Sequence, residues 1–160
     1  MQTLLFSSVV VGTYYLMCIV QAVLHRSFGH RNRIRAVFRG HVIGHHGQYP
    51  ASRLRSEKFV SFEKRAVDYY VIPAVVIVFV VYLVFGPLVT IAHAFGVVAT
   101  FAWHVYLHRH YHLTKTPFER FAWFRKKREL HFEHHRNARV NFAVVEFWVD
   151  NLMGTRGVAN

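Results

Sequence analysis

The chain has 160 residues, 53% of them hydrophobic, and carries 20 Lys+Arg against 8 Asp+Glu for a formal charge of +12. That length fits one domain, and the single cysteine, Cys18, excludes an internal disulfide, an iron–sulfur cluster and a cysteine-type zinc site. A basic chain is compatible with nucleic-acid binding, but here the charge is segregated: no Lys or Arg occurs from Met1 to His25 or from Ala66 to His108. Apolar spans between basic segments follow more simply from the positive-inside rule, so no nucleic-acid partner is expected.

In chain order, Thr3–Leu24 is an uncharged apolar run of 22 residues, long enough to cross a hydrocarbon core as a helix. It lacks the basic n-region and the small-residue cleavage site of a signal peptide, so it is expected to stay attached. Asp68 is the one charged residue between Ala66 and His108, a stretch that accommodates two further spans. Gly86-Pro87 marks the break, because proline disfavours helix in the residue before it and suits a helix start. Tyr69–Phe85 and Pro87–Leu107 are therefore expected to form a transmembrane hairpin, with Pro73 near the start of its first arm, where it disrupts least.

Three spans (about 3–24, 69–85 and 87–107) put the N-terminus on one side and nearly all the charge on the other. The positive-inside rule then assigns segments 25–68 and 108–160 to the cytoplasm. Pro117–Arg139 interleaves Phe118, Phe121, Trp123 and Phe124 with Arg120, Arg125, Lys126, Lys127 and Arg128, which suits a helix in the membrane interface, its cations near anionic headgroups. The expected fold is all-α: one membrane-embedded domain over residues 1–160, capped by a helical histidine-rich cytoplasmic region.

Ten of the thirteen histidines fall in four groups: HRSFGH (His25, His30), HVIGHH (His41, His45, His46), HVYLH (His104, His108) and HFEHH (His131, His134, His135), with His93, His110 and His112 outside them. His104 and His108 are i,i+4 and share a helix face, and His112 extends the row; His131, His134 and His135 are i, i+3, i+4. His25 and His30 are i,i+5, which a straight α-helix would splay, so they require a helix end or a distorted turn. The topology brings all four groups to one membrane face. Imidazole is the commonest metal ligand near neutral pH, and ten rings exceed the capacity of one metal, so two metals are expected. His93 reads as a satisfied polar group in a span, and His110 as an interfacial residue.

Imidazole suits zinc, copper, nickel and iron alike, whereas calcium and magnesium prefer oxygen. A carboxylate-bridged di-iron site needs Glu-x-x-His pairs, and no glutamate here has a histidine three residues later.

In order and spacing these histidines resemble the fatty acid hydroxylase/sterol desaturase superfamily of membrane-bound non-haem di-iron enzymes. HHGQYPASRLR (His45–Arg55) resembles a segment of the fatty acid 2-hydroxylase branch, and NFAVVEFWVDNLMGT (Asn141–Thr155) is similar to the family's closing signature. Ala143 and Met153 stand where glycine and phenylalanine are usual, and the second histidine group has one extra intervening residue, at His41. The resemblance implies two iron ions, with zinc an expected substitute in a recombinant preparation, held by His25, His30, His41, His45, His46, His104, His108, His131, His134 and His135. His112 is a further candidate as ligand or outer-shell group; Asn141 and Asp150 are candidates for outer-shell support or for turn-making.

The implied activity is hydroxylation of a lipid C–H bond with dioxygen, an acyl chain or acyl lipid being the first substrate expectation. Desaturation, or hydroxylation of a carotenoid or sterol, is the near alternative; a non-catalytic metal-binding membrane protein is the alternative of another class. No flavin, haem or nicotinamide motif appears, so electrons are expected from another protein, a ferredoxin or a b-type cytochrome with its reductase. Anionic lipid headgroups are the expected partners of Arg125–Arg128.

Overall fold

The computed structural model describes residues 1–60 and 66–158, so positions 61–65 of the expected 25–68 segment lie outside the described residues. Among the described residues the chain is helical and without strands, apart from an isolated parallel bridge between Ser56 and Leu113. Helix α1 (Gln2–Leu24) continues into a π-helical turn, π1 (His25–Gly29). A short α2 (Arg35–Phe38) leads directly into a second π-helix, π2 (Arg39–His46). The long α3 (Ala66–Tyr111), a 3₁₀ turn (Pro117–Arg120), α4 (Ala122–Arg136) and a short α5 (Trp148–Leu152) complete the chain.

Helices α1 and α3 are apolar around their whole circumference and largely bare of protein contacts. Val11, Leu16, Val76, Phe79, Leu83, Ile91 and Val98 are all exposed. In water such a surface would drive association; in lipid it needs no partner. Gln2–Gly29 and Ala74–Tyr111 are the two helices, among the described residues, long and apolar enough to cross a membrane. The sequence suggested separate helices ending at Phe85 and Leu107. The first ends where expected, at the non-helical Gly86, and the second runs on to Tyr111, which packs with Leu107 in a core with Phe124 and Phe132. Gly86 still interrupts the helical backbone, with φ +75° and ψ −177°, a conformation that favours glycine.

Where α1 meets α3 the contact is close and partly polar. Gly96 lies against Thr13, and Thr13 Oγ1 meets His93 Nδ1 at 3.0 Å, so the mid-span histidine does find a partner. Two small cores sit at the other end of these helices. One joins Cys18 and Ala22 of α1 to Leu130, Val145 and Phe147; the other joins Leu107 and Tyr111 to Phe124, Phe132 and Val144. The C-terminal segments thus plug the gap between α1 and the end of α3.

Pro117–Arg139 is not one interfacial helix. It breaks at Phe121 (φ −91°, ψ 125°), and Phe124 and Arg128 of α4 are buried, Arg128 paired bidentately with Glu119. Phe121 and Trp123 remain exposed, as an interfacial face requires.

Candidate metal centre

The helices deliver ten histidines into two compact groups of five. His25, His30, His41, His46 and His134 form one; His45, His108, His112, His131 and His135 form the other, and within each group the ligand atoms all lie within 4.8 Å of one another. His30 and His46 of the first group are half-buried, whereas every ring of the second is buried. The first is therefore termed the outer group and the second the inner group. They adjoin: His46 stacks on His135 with ring centroids 4.1 Å apart, and His41 on His45 at 5.4 Å.

Local geometry explains how these spacings converge. In an α-helix, positions i and i+5 point roughly 140° apart. In the π-helical turn the backbone N–H of His30 instead donates to the carbonyl of His25 at 3.1 Å, and this i→i+5 bond swings the two rings to one side. The π2 helix does the same for His41 and His46. The x4 spacing thus becomes a same-face spacing, as the sequence required of a distorted turn. Gly29 makes the packing of these turns feasible: a Cβ there would meet Cδ2 of His25 at 3.0 Å and Cδ2 of His41 at 3.3 Å. The inner pairs, His108/His112 and His131/His135, use ordinary i,i+4 spacing at the ends of α3 and α4. Each adjacent HH pair is divided, His45 and His135 going to the inner group, His46 and His134 to the outer.

In four of the ten rings an outward-facing nitrogen fixes the tautomer. Nδ1–H of His25 donates to the Phe142 carbonyl at 2.5 Å and that of His134 to Val140 at 2.7 Å. In the inner group His112 donates to Leu54 and His135 to Tyr49, both at 2.8 Å. A neutral ring whose Nδ1 carries the proton presents a lone pair at Nε2. These Nε2 atoms converge: His25 and His41 at 2.7 Å, His30 and His134 at 2.9 Å, His45 and His108 at 3.0 Å, His112 and His131 at 2.9 Å. One Nε2–H can bridge two such atoms, but holding several converging lone pairs at once requires positive charge among them. Protons are a poor source of it, because burial first, and neighbouring imidazoles second, push His46 down to about 3 and hold His41, His45, His131 and His134 well below the ordinary histidine range. His112 is lowered to about 4 by burial, its bond to Leu54 opposing the shift. The donor set therefore fits metal ions: neutral, inward-facing and all nitrogen.

Nine of the ten histidines expected as ligands fall in these groups. His104 does not. Its ring is 6.0 Å from that of His108, and its buried Nδ1 has no hydrogen-bond partner among the described residues. His112, the further candidate, takes the tenth place. His110 lies apart and meets Thr116 Oγ1 at 2.9 Å. The sequence offered His104/His108 and His108/His112 at identical spacing on one helix face, and the choice is one of position along α3: its last turn, packed by Leu107 and Tyr111 against Phe124 and Phe132, is the one that reaches the inner group. Asn141 and Asp150 are wholly buried and neither binds a ring: Asn141 bonds the Leu130 carbonyl of α4 and the Gly157 N–H, and Asp150 accepts from the N–H groups of Phe142 and Ala143 and from the Thr155 hydroxyl. The carbonyls of Tyr49, Leu54, Val140 and Phe142 were missed by sequence reasoning, since every residue carries one and no side-chain type advertises its use.

A family model described as fatty acid hydroxylase matches residues 10–155, which include all ten grouped histidines. No curated protein and no solved structure matches.

Proposed function

Given that this chain belongs to the fatty acid hydroxylase family, we propose that it is a membrane di-iron oxygenase that hydroxylates a C–H bond of a lipid, an acyl chain or acyl lipid in the first instance. The observation that carries the reading is the pair of five-histidine groups, Nε2 atoms inward, at the end of two apolar helices. Iron bound there would supply the reductive activation of dioxygen, which redox-inert zinc cannot. In the overall reaction one oxygen atom enters the C–H bond and the other leaves as water, with two electrons and two protons from an external donor.

The chain's own residues do the rest. His30 and His46, half-buried, form the accessible rim of the centre, while the buried inner group excludes water. The carbonyls of Phe142, Val140, Leu54 and Tyr49 hold the rings in the tautomer that keeps Nε2 unprotonated. A site at the head of α1 and α3 lets an apolar chain reach it without leaving an apolar environment.

Two considerations support three spans with the histidines on the cytoplasmic side. A straight α3 of 46 residues would be about 69 Å long, more than twice a hydrocarbon core. It would also carry Ala66 that far from Tyr111, although Ser56 bridges Leu113 and the ten residues from Ser56 to Ala66 reach at most about 36 Å. Folding back at Gly86 satisfies both. Orientation rests on the Lys and Arg flanking the histidine end.

Electrons would come from a ferredoxin or a b-type cytochrome with its reductase, and the exposed Arg31, Arg33, Arg35 and Arg39 beside the outer rim suit an acidic donor. The exposed Trp123 and Phe121, with Arg125 and Lys126, suit anionic lipid. The likeness of His45–Arg55 to the 2-hydroxylase branch favours acyl substrates over a carotenoid or sterol. Desaturation is distinguished by its product, a loss of two hydrogens rather than a gain of one oxygen. A non-catalytic metal carrier is disfavoured because such a protein needs ligands along its spans, and His93 is committed to Thr13.

The test is lipidomics of a host expressing the protein against one expressing His134→Ala. A lipid species heavier by one oxygen should appear with the first and be absent with the second; identical profiles would sink the hydroxylase reading for that host's lipids.

A further inference from the structure

The two carbonyls that orient the outer group come from a stretch with no helix to hold it. Val140 and Phe142, which accept from His134 and His25, lie between α4 and α5 in irregular backbone. A carbonyl can fix a ring only if its own peptide is fixed, so what ties this stretch matters. The ties converge on one carboxylate. Asp150 accepts from the backbone N–H of Phe142 at 2.7 Å, from that of Ala143 at 3.0 Å, and from the Thr155 hydroxyl at 2.8 Å.

Asn141 supplies the second anchor. It adopts φ +53°, which turns the chain between the two carbonyls. Its side-chain N–H donates to the Leu130 carbonyl of α4 at 3.1 Å, and its side-chain oxygen accepts from Gly157 N–H at 2.9 Å. Its backbone N–H donates to the Thr155 carbonyl at 2.8 Å. Both Asn141 and Asp150 are 0% exposed. The inner group's carbonyls, Tyr49 and Leu54, sit in a separate loop that, among the described residues, has no bond to this clamp.

We propose that Asp150, assisted by Asn141 and Thr155, is a positioning residue for the outer histidine group alone, fixing the Phe142 and Val140 peptides so that His25 and His134 present Nε2 to one metal. The proposal rests on the reading of the two groups as metal sites. It explains why Asn141, Asp150 and Thr155 occur together: each is one end of a bond in the same clamp. A burial this deep is costly for a carboxylate, and a turn that served only chain reversal could be made from uncharged residues. Asp150 touches no ring and no substrate; its effect passes through two peptide groups.

The experiment uses the full-length protein in detergent, loaded with cobalt(II) as the probe, with His134→Ala and His112→Ala marking the absorption of the outer and inner sites. Asp150→Asn keeps the size of the side chain but turns an NH2 toward a backbone N–H. It should weaken one equivalent of cobalt by about 10- to 100-fold, the scale of outer-shell losses. The bands lost should be those lost in His134→Ala, with the inner bands and the helical circular dichroism unchanged. Thr155→Val removes one donor and should weaken the same equivalent by less, which decides the matter if Asp150→Asn does not fold. Two equivalents of wild-type affinity in the variants would overturn the proposal. So would loss of both equivalents together with helicity, the signature of a merely structural role. None of these readouts uses lipid product, so a protein that behaves as expected here and oxygenates no lipid would refute the oxygenase and leave the clamp standing.

Discussion

The outer and inner histidine groups have the same number and type of donors, yet they are assembled by different backbones. The outer group takes its pairs from i,i+5 positions on two π-helical turns, His25/His30 and His41/His46, and the inner group from i,i+4 positions at α-helix ends, His131/His135 within α4 and His108/His112 with His112 in the turn just past α3. Each then borrows one ring from the other's type of element, His134 from α4 and His45 from π2. An α-helix aims i and i+4 together whatever surrounds it. A π-turn is rare and marginal on its own, and persists where packing compensates. The inner group is thus close to a property of two helices, whereas the outer group depends on Gly29, on the clamp around Asp150, and on the fit of two turns against each other. The dependent group is also the one with two half-buried rings, His30 and His46, whereas every inner ring is buried.

The strongest way to break this comparison is to delete one inner ligand and its neighbour in turn. His112→Ala should abolish one of two bound metals, a loss of more than about 100-fold in affinity, since even outer-shell changes cost 10- to 100-fold. His104→Ala should leave two metals per chain by elemental analysis. The opposite result would return His104 to the ligand set and displace His112.

Gly29→Ala should act on the outer group alone. Its Cβ would press on His25 and His41 at 3.0 and 3.3 Å, and one or both rings must shift. A roughly tenfold weakening of the outer metal in a chelator competition is expected, at the low end of the outer-shell range, with inner affinity unchanged. Equal weakening of both would mean that the groups are not built independently. The smallest effect should come from Tyr49→Leu, which removes the ring stacked on His112 at a centroid distance of 4.1 Å but keeps the carbonyl that accepts from His135. An aromatic contact is worth about 0.5–1.5 kcal/mol, so inner affinity should fall about two- to tenfold, read in the same competition.

Much of the site was legible beforehand because its logic is local. Helical periodicity aligned His131 with His135, and the x4 gap between His25 and His30 demanded a distorted turn, which π1 supplies. The exchange of His104 for His112 was not legible, because HVYLHRHYH holds two overlapping H-x-x-x-H pairs of equal merit. Nor was the division of each HH pair between groups, which depends on where α4 and π2 meet in space.

From the order of residues alone came the apolar spans, the segregation of the basic charge, the all-nitrogen donor set and the break at Gly86, since each follows from composition, short-range periodicity or the conformational freedom of one residue. Only the tertiary structure decided which five rings form each group, that His112 lies among them and His104 does not, and that Asp150 bonds the N–H groups of Phe142 and Ala143. Those facts join residues up to 117 positions apart, as His25 and Phe142 are, and the acceptors are peptide carbonyls. A carbonyl is the same in every residue, so its role exists only once the chain has folded.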